Sequence, residues 1–162
     1  MIIVSDTSPI NNLAAINQLH LLRELYGAVI IPPAVYRELT APDFPVAGAT
    51  SVQTFGWIQT CQVNNRAVFE ALQNELDIGE AEAIALALEL QAEQILIDER
   101  LGSIVAARLN LRSTGILDIL IEAKSQQLIL EVKPLLDALI NQAGFWVAEP
   151  LYNSVLRLAG ES

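Results

Sequence analysis

Short apolar runs alternate along the chain with segments of helical periodicity. Residues 2–4, 28–31 and 94–97 are predominantly apolar runs, the pattern of strands buried on both faces of a sheet. Residues 57–63 and 111–115 show weaker strand patterns. Strands that are separated by helices pair in parallel, because the chain must cross the sheet between them. The pattern therefore predicts an α/β fold with a central parallel sheet.

Helical periodicity accounts for most of the remaining chain. Ser8 and Pro9 are predicted as the N-cap and first residue of the helix that follows the first strand. Residues 40–55 contain two prolines and one glycine and are predicted to form a loop with one helical turn. The other predicted helices lie at residues 10–26, in two pieces broken near Asn17, and at 34–39, 67–76, 77–88, 99–109, 116–123, 133–143 and 151–158.

Length and composition limit the possible functions. The 162 residues predict one domain, with an α/β core over 1–115 and C-terminal helices over 116–162 packed on it. A hydrophobic content of 52% excludes a disordered chain, and no apolar run reaches the roughly 20 residues of a membrane span. The N-terminus lacks the features of a secretory signal. The single cysteine, Cys61, excludes an internal disulfide, and together these features predict a cytoplasmic protein.

The formal net charge of −10 bears on the class of partner. Proteins that bind nucleic acids through bulk charge normally carry a basic patch, so this mechanism is disfavoured. An enzyme that reaches phosphates through bound metal ions remains possible. Nineteen acidic against nine basic side chains favour cations or a basic protein as partners.

Two aspartates share one local design. Asp6 and Asp98 each follow an apolar strand and precede a helix, which predicts that both carboxylates lie at the carboxyl edge of the sheet. Taken alone, Asp6 is equally well explained as a turn cap. Two neighbouring buried carboxylates repel each other unless a cation neutralises them. Oxygen ligands without histidine or cysteine suit a hard cation, Mg²⁺ or Mn²⁺.

Three glutamates are further candidates, and each has a structural alternative. Glu38 lies on a predicted helix and could be solvated. Glu80 could complete a capping box with Asp77 as N-cap, which taken alone is the favoured interpretation. Glu82 falls away from the apolar stripe of its helix and could belong to a solvated face.

Four segments carry a resemblance to a known family. They are Ser5-Asp6-Thr7-Ser8-Pro9, Ile31-Pro32-Pro33-Ala34-Val35-Tyr36-Arg37-Glu38, Gly79-Glu80-Ala81-Glu82-Ala83-Ile84-Ala85-Leu86-Ala87 and Leu96-Ile97-Asp98-Glu99-Arg100. In this order they resemble the motifs of the PIN domain, and most closely its DUF3368 branch, which is related to VapC-type toxins. The resemblance spans nearly the whole chain.

The resemblance implies a three-layer α/β/α sandwich with a central parallel sheet. It also implies a metal-dependent endonuclease acting on single-stranded RNA, the toxin-like member of a toxin–antitoxin pair. The expected cofactor is Mg²⁺ or Mn²⁺, and the expected partners are RNA, a small antitoxin-type protein and a second copy of the chain. The implied metal and catalytic residues are Asp6, Glu38, Glu80 and Asp98, with Glu82 as a second candidate for the third position and Thr7, Ser8 and Arg100 on the substrate side.

Two other interpretations stay open. Many PIN domains have aspartate where this chain has Glu80, which lengthens the ligand arm by one methylene. A non-catalytic PIN-like module that regulates or binds a partner is therefore the first alternative. A phosphatase of the haloacid-dehalogenase type ranks last, because its chemistry needs a second aspartate at the position of Ser8.

Overall fold

Five parallel strands form the centre of the computed structural model, which describes residues 1–41 and 49–162. The strands are β1 (Ile3–Ser5), β2 (Val29–Ile31), β3 (Ile58–Thr60), β4 (Gln94–Leu96) and β5 (Ser113–Thr114). They pair in the order β3-β2-β1-β4-β5, and every pairing is parallel. The predicted α/β class with a central parallel sheet is confirmed.

Ten helices flank this sheet within the residues that the structure describes. They are α1 (Thr7–Ala15), α2 (His20–Tyr26), α3 (Pro33–Thr40), α4 (Ala49–Thr54), α5 (Arg66–Leu72), α6 (Ile78–Glu89), α7 (Arg100–Arg108), α8 (Ile116–Ser125), α9 (Lys133–Asn141) and α10 (Glu149–Leu158). The predicted break between the first two helices is present, with Asn17 in the left-handed region at φ 58°. No helix among these is long and apolar enough to cross a bilayer.

The strands separate two hydrophobic clusters. Successive side chains of a strand point to opposite faces, so Ile3 packs in one cluster and Val4 in the other. The first cluster contains buried residues of α1–α3 and of the C-terminal helices α8–α10. The second contains buried residues of α5–α7. Because both faces of the sheet are covered by helices, the fold is the expected three-layer α/β/α sandwich.

The start of α1 differs from the prediction. Asp6, not Ser8, is the N-cap, with φ −80° and ψ 178°, and the helix begins at Thr7. Asp6 is the N-cap by its extended backbone, and within the described residues its side chain makes no capping hydrogen bond. Proline fits anywhere in the first turn because the N–H groups there have no partner within the helix. Pro9 is therefore the third helical residue. The shift places the Asp6 carboxylate directly at the junction of β1 and α1.

The predicted loop over 40–55 begins one residue late in the structure, and its predicted helical turn is longer than expected. Thr40 is still part of α3, and Ala49–Thr54 form α4. Residues 42–48, the centre of that prediction, lie outside the described residues. Val52 in α4 is buried in the first cluster, and this apolar contact stabilises a helix that the local sequence does not favour.

Candidate active site

The carboxyl ends of β1 and β4 form the edge at which the acidic residues lie. These two strands are neighbours, with Ser5 opposite Leu96. The Asp6 N–H donates to the carbonyl oxygen of Leu96 at 2.9 Å, which extends the pairing one residue beyond β1. Asp98 follows β4 by two residues. The structure thus places both strand-end aspartates on the same edge of the sheet.

Asp6 is buried, with only 4% of its surface exposed. Its burial raises the pKa of the carboxyl from 3.8 to about 7, and the negative charges of Glu38, Asp77 and Glu99 add to the rise. A hydrogen bond from the backbone N–H of Thr7 acts in the opposite direction. A carboxylate in such a place is costly without a cation, so the simple role of a turn cap does not account for it.

Glu38 reaches the same edge from α3. The hydroxyl of Thr7 donates to its Oε2, which ties the side chain to the first turn of α1. Its carboxyl group also lies against Gly79 at the start of α6. Burial raises the pKa of Glu38, while the hydrogen bond from Thr7 opposes the rise. The side chain is therefore held by specific contacts, unlike a freely solvated helix glutamate.

Glu80 and Asp77 divide two roles that the sequence could not separate. Asp77 is the N-cap of α6, and its Oδ1 accepts a hydrogen bond from the Glu80 N–H at 2.8 Å. The Glu80 side chain is buried, with Oε2 close to Gly102 on α7. Burial raises its pKa, and Asp77 and Asp6 raise it further. The cap is supplied by Asp77, and the Glu80 carboxyl group is close enough to Asp6 for the Asp6 charge to raise its pKa.

Asp98 has one satisfied and one unsatisfied oxygen. Its Oδ1 accepts a hydrogen bond from the Ile116 N–H at the start of α8, at 2.8 Å. Its Oδ2 is buried and has no hydrogen-bond partner among residues 1–41 and 49–162. Burial raises the pKa of Asp98 to about 6, against the lowering effect of Ile116. Because buried polar atoms are nearly always paired, the orphaned Oδ2 is an observation that points to a missing ligand.

Glu82 lies on the same helix as Glu80 but contacts different groups. The residue is buried, with 4% of its surface exposed, so the alternative of a solvated face is wrong. Oε1 accepts the Ala34 N–H at 2.9 Å, and Oε2 pairs with Arg66 at 3.3 Å. Helix α6 is buried from Gly79 to Ala87, all around its axis, which explains the error. Both oxygens of Glu82 stabilise neighbouring helices, whereas the Asp98 Oδ2 has no such partner in the described part of the chain.

We expect Glu82→Ala to destabilise the fold by roughly 2–3 kcal/mol, because it leaves the buried Ala34 N–H without an acceptor and removes the partner of Arg66. Glu82→Gln retains an acceptor oxygen for Ala34 and should cost less. Urea unfolding measures both, with Glu70→Ala on the exposed side of α5 as the control. A cost for Glu82→Ala no larger than that of the control would contradict this structural role.

The substrate-side candidates have different surroundings. The Thr7 hydroxyl donates its hydrogen bond to Glu38, and Ser8 lies half-buried in the first turn of α1. Arg100 is exposed at the first position of α7. Glu99 was not among the predicted site residues. It is the exposed N-cap of α7, and its charge raises the pKa values of Asp6, Glu80 and Asp98. Its position directly after Asp98 was the only available signal.

The donor set fits a hard divalent cation in part. Asp6, Glu38, Glu80 and Asp98 supply only carboxylate oxygens, and burial raises the pKa of each. Within residues 1–41 and 49–162, no three acidic, histidine or cysteine side chains converge as a ready-made cage. Mg²⁺ is commonly held by one or two carboxylates together with water and substrate phosphate, so such a cage is not required. The orphaned Asp98 Oδ2 and the charge of the edge both suit a cation.

Comparison with known proteins identifies the family. The model of one protein family, the PIN domain family DUF3368, matches residues 2–161. No curated protein matches the chain. The family match covers every strand of the sheet and all four acidic candidates.

Proposed function

The chain belongs to the PIN domain family DUF3368, whose members are generally nucleases, and from this premise we propose that it is a metal-dependent endonuclease that hydrolyses single-stranded RNA. The observation that carries the proposal is the pair of buried carboxylates, Asp6 and Glu80: burial raises the pKa of both, and the charge of Asp6 raises the pKa of Glu80 further. Such a pair is stable in its ionised form only beside a cation.

In this proposal Asp6 and Glu80 hold the cation. Asp98 adds its free Oδ2, and Glu38 completes the set from α3. A Mg²⁺ or Mn²⁺ ion bound there supplies activation of water as the nucleophile and neutralisation of charge on the phosphate. The expected reaction is hydrolysis of a phosphodiester bond by in-line attack, with no side chain as nucleophile.

The remaining residues orient the carboxylates and the substrate. Thr7 fixes the rotamer of Glu38 through its hydroxyl hydrogen bond. The Ile116 N–H fixes Asp98 through Oδ1 and leaves Oδ2 turned away from that bond. Arg100, exposed beside Glu99, is the proposed contact for a substrate phosphate. The acidic edge itself would repel RNA, so substrate binding in this scheme requires the cation.

The finer parts of the function rest on the resemblance. PIN nucleases act on RNA or DNA, and single-stranded RNA is the substrate that the toxin-like branch implies. A role as the toxin of a toxin–antitoxin pair, a small antitoxin-type partner and a homodimer stay predictions. A cytoplasmic location does too.

One observation favours the non-catalytic alternative. No three potential ligands converge in the described part of the chain, as expected if the site has lost its metal. A PIN-like module that binds a partner would then use the acidic edge as a surface for basic groups. It would bind neither Mn²⁺ nor Mg²⁺ tightly, which separates it from the nuclease.

We expect the purified protein to cut an unstructured, end-labelled RNA in Mn²⁺ or Mg²⁺ and to stop when EDTA removes the metal. The reason is that the buried carboxylates cannot by themselves activate water or neutralise the phosphate. The assay is gel electrophoresis of the RNA beside a DNA of the same sequence. Cleavage that persists in EDTA, or none in any divalent metal, would contradict the proposal.

A further inference from the structure

Three carboxylates of the acidic edge each lie against a glycine of a neighbouring segment. At each glycine, an added β-carbon would approach a carboxylate oxygen closer than van der Waals contact allows. The pairs are Glu38 with Gly79, Glu80 with Gly102, and Asp98 with Gly115. The three acidic side chains can therefore take their positions only because these three residues have no side chain.

Gly79 is the glycine at which an added β-carbon would affect mainly one acidic side chain. A β-carbon there would lie 3.0 Å from both Cδ and Oε2 of Glu38 and would collide with Oε1. No other side chain or backbone atom is among its three nearest neighbours. Gly79 is the second residue of α6 and lies outside the left-handed region, so its backbone conformation is open to alanine. Glycine is a poor helix former, so folding alone favours alanine at this position.

We propose that Gly79 is a positioning residue that keeps a seat open for the Glu38 carboxylate on the first turn of α6. The seat brings an acid from α3 against the helix that carries Glu80. The partial positive charge of the α6 N-terminus favours the ionised carboxylate at this place. The consequence for metal binding rests on the proposed function, whereas the seat itself rests on the packing of Glu38 against Gly79.

The other two glycines are less selective. A β-carbon on Gly102 would lie 2.5 Å from Cδ1 of the buried Ile97 as well as 3.0 Å from the Glu80 Oε2. A change there would disturb the core. A β-carbon on Gly115 would lie 2.9 Å from the Asp98 Oδ1, which holds the Ile116 N–H. Among these three glycines of the described chain, only Gly79 has its three nearest atoms all at the flexible end of one acidic side chain.

Gly79→Ala should change the position of the Glu38 carboxylate without destabilising the fold. The methyl group should displace the Glu38 carboxylate, and we expect the affinity for Mn²⁺ to fall about tenfold, as for other groups that orient metal ligands. The urea midpoint should stay unchanged or rise. Gly56→Ala is the matched control, because a β-carbon on Gly56 would have no atom of the described residues within 4 Å. Titration of Mn²⁺ by calorimetry and urea unfolding measure the two effects. Unchanged Mn²⁺ affinity in Gly79→Ala would overturn the proposal.

Glu38→Asp tests whether the methyl group acts through Glu38. The shorter side chain should make room for the alanine, so the double variant should lose less Mn²⁺ affinity than the product of the two single losses. Losses that multiply would show that Gly79 and Glu38 act independently and would overturn the proposal.

The position of the Glu38 carboxylate can also be measured without metal, and this test does not depend on the proposed function. If the unaltered protein binds no Mn²⁺, the proposed function fails, but the seat can still be tested. The ¹³C resonance of the Glu38 carboxyl carbon should then shift in Gly79→Ala and stay in place in Gly56→Ala, because the Thr7 hydrogen bond is disturbed only in the former. An unshifted resonance in Gly79→Ala would overturn the inference.

Discussion

Replacing Asp6 by asparagine should reduce RNA cleavage on the order of 10³-fold and leave the fold intact. The side chains are similar in shape, so packing at the end of β1 is retained. The variant loses the charge that we propose binds the cation between Asp6 and Glu80. A bound cation contributes several kcal/mol of transition-state stabilisation, and each 1.4 kcal/mol is about tenfold in rate. The measurement is the rate of cleavage of a labelled RNA in saturating Mn²⁺.

The control for this prediction is Asp137→Asn. Asp137 lies on α9 and accepts a hydrogen bond from the Tyr152 hydroxyl through Oδ1, which asparagine can also accept. It carries the same chemical change away from the acidic edge, so cleavage should stay within about twofold of the unaltered protein, as for surface changes in general. Asp6→Asn activity within a few-fold of this control would show that Asp6 is not part of the reaction.

The second large effect is the dependence of stability on pH in metal-free protein. Burial raises the pKa of Asp6 to about 7 and of Asp98 to about 6, and raises that of Glu80 as well. In the unfolded chain these groups ionise near pH 4, whereas in the fold they keep their protons to higher pH. Their contribution to stability is full below pH 4 and is lost as the pH rises through the folded pKa values.

We therefore expect the free energy of unfolding of metal-free protein to fall by roughly 2–4 kcal/mol between pH 5 and pH 8. The range starts at pH 5 so that the titration of Glu161 does not contribute. The pKa of Glu161 is lowered, and the hydrogen bond from the Val132 N–H is the largest of the lowering effects, so its contribution to stability is lost only in acid. Urea unfolding in EDTA at several pH values gives the slope. Stability that rises over this range would contradict the assignment of the buried acids.

Mn²⁺ should reverse much of this loss. A ligand that binds only the folded state stabilises it, and carboxylates bind metals in their ionised form, so the gain should be largest at pH 8. Asp6→Asn should show a flatter pH dependence in EDTA and a smaller gain from Mn²⁺. If Mn²⁺ stabilises Asp6→Asn as much as the unaltered protein, the stabilising ion binds elsewhere.

The parallel sheet and its acidic edge were predictable from sequence because their signals are local. Apolar runs followed by Asp6 and Asp98 define strand ends, and the helical segments between them require parallel pairing. The structure adds what these signals do not contain, namely that β1 and β4 are neighbours with Ser5 opposite Leu96. The site residues beyond these two aspartates depended on motif resemblance, because Glu38 and Glu80 lie on helices, where periodicity cannot distinguish a ligand from a cap or a solvated acid.

The features that could not be predicted from the sequence depend on contacts between segments that are far apart along the chain. Glu82 is buried because α6 is covered on every side, and its bond to the Ala34 N–H joins residues 48 positions apart. The contact of Glu38 with Gly79 likewise joins α3 to α6. The N-cap of α1 fell on Asp6 because the strand continues directly into the helix, although Ser8-Pro9 is an equally good local start signal.

Anomalous diffraction from a crystal soaked in Mn²⁺ tests the central claim most directly, because it gives both the position of the ion and its ligands. We predict a peak at the carboxyl edge of β1 and β4, within coordination distance of carboxylate oxygens of Asp6 and Glu80, with the Asp98 Oδ2 beside it. Glu82 should keep its contacts with the Ala34 N–H and Arg66. The absence of a peak at this edge, or a peak ligated by Glu82 in place of Glu80, would contradict the proposed site.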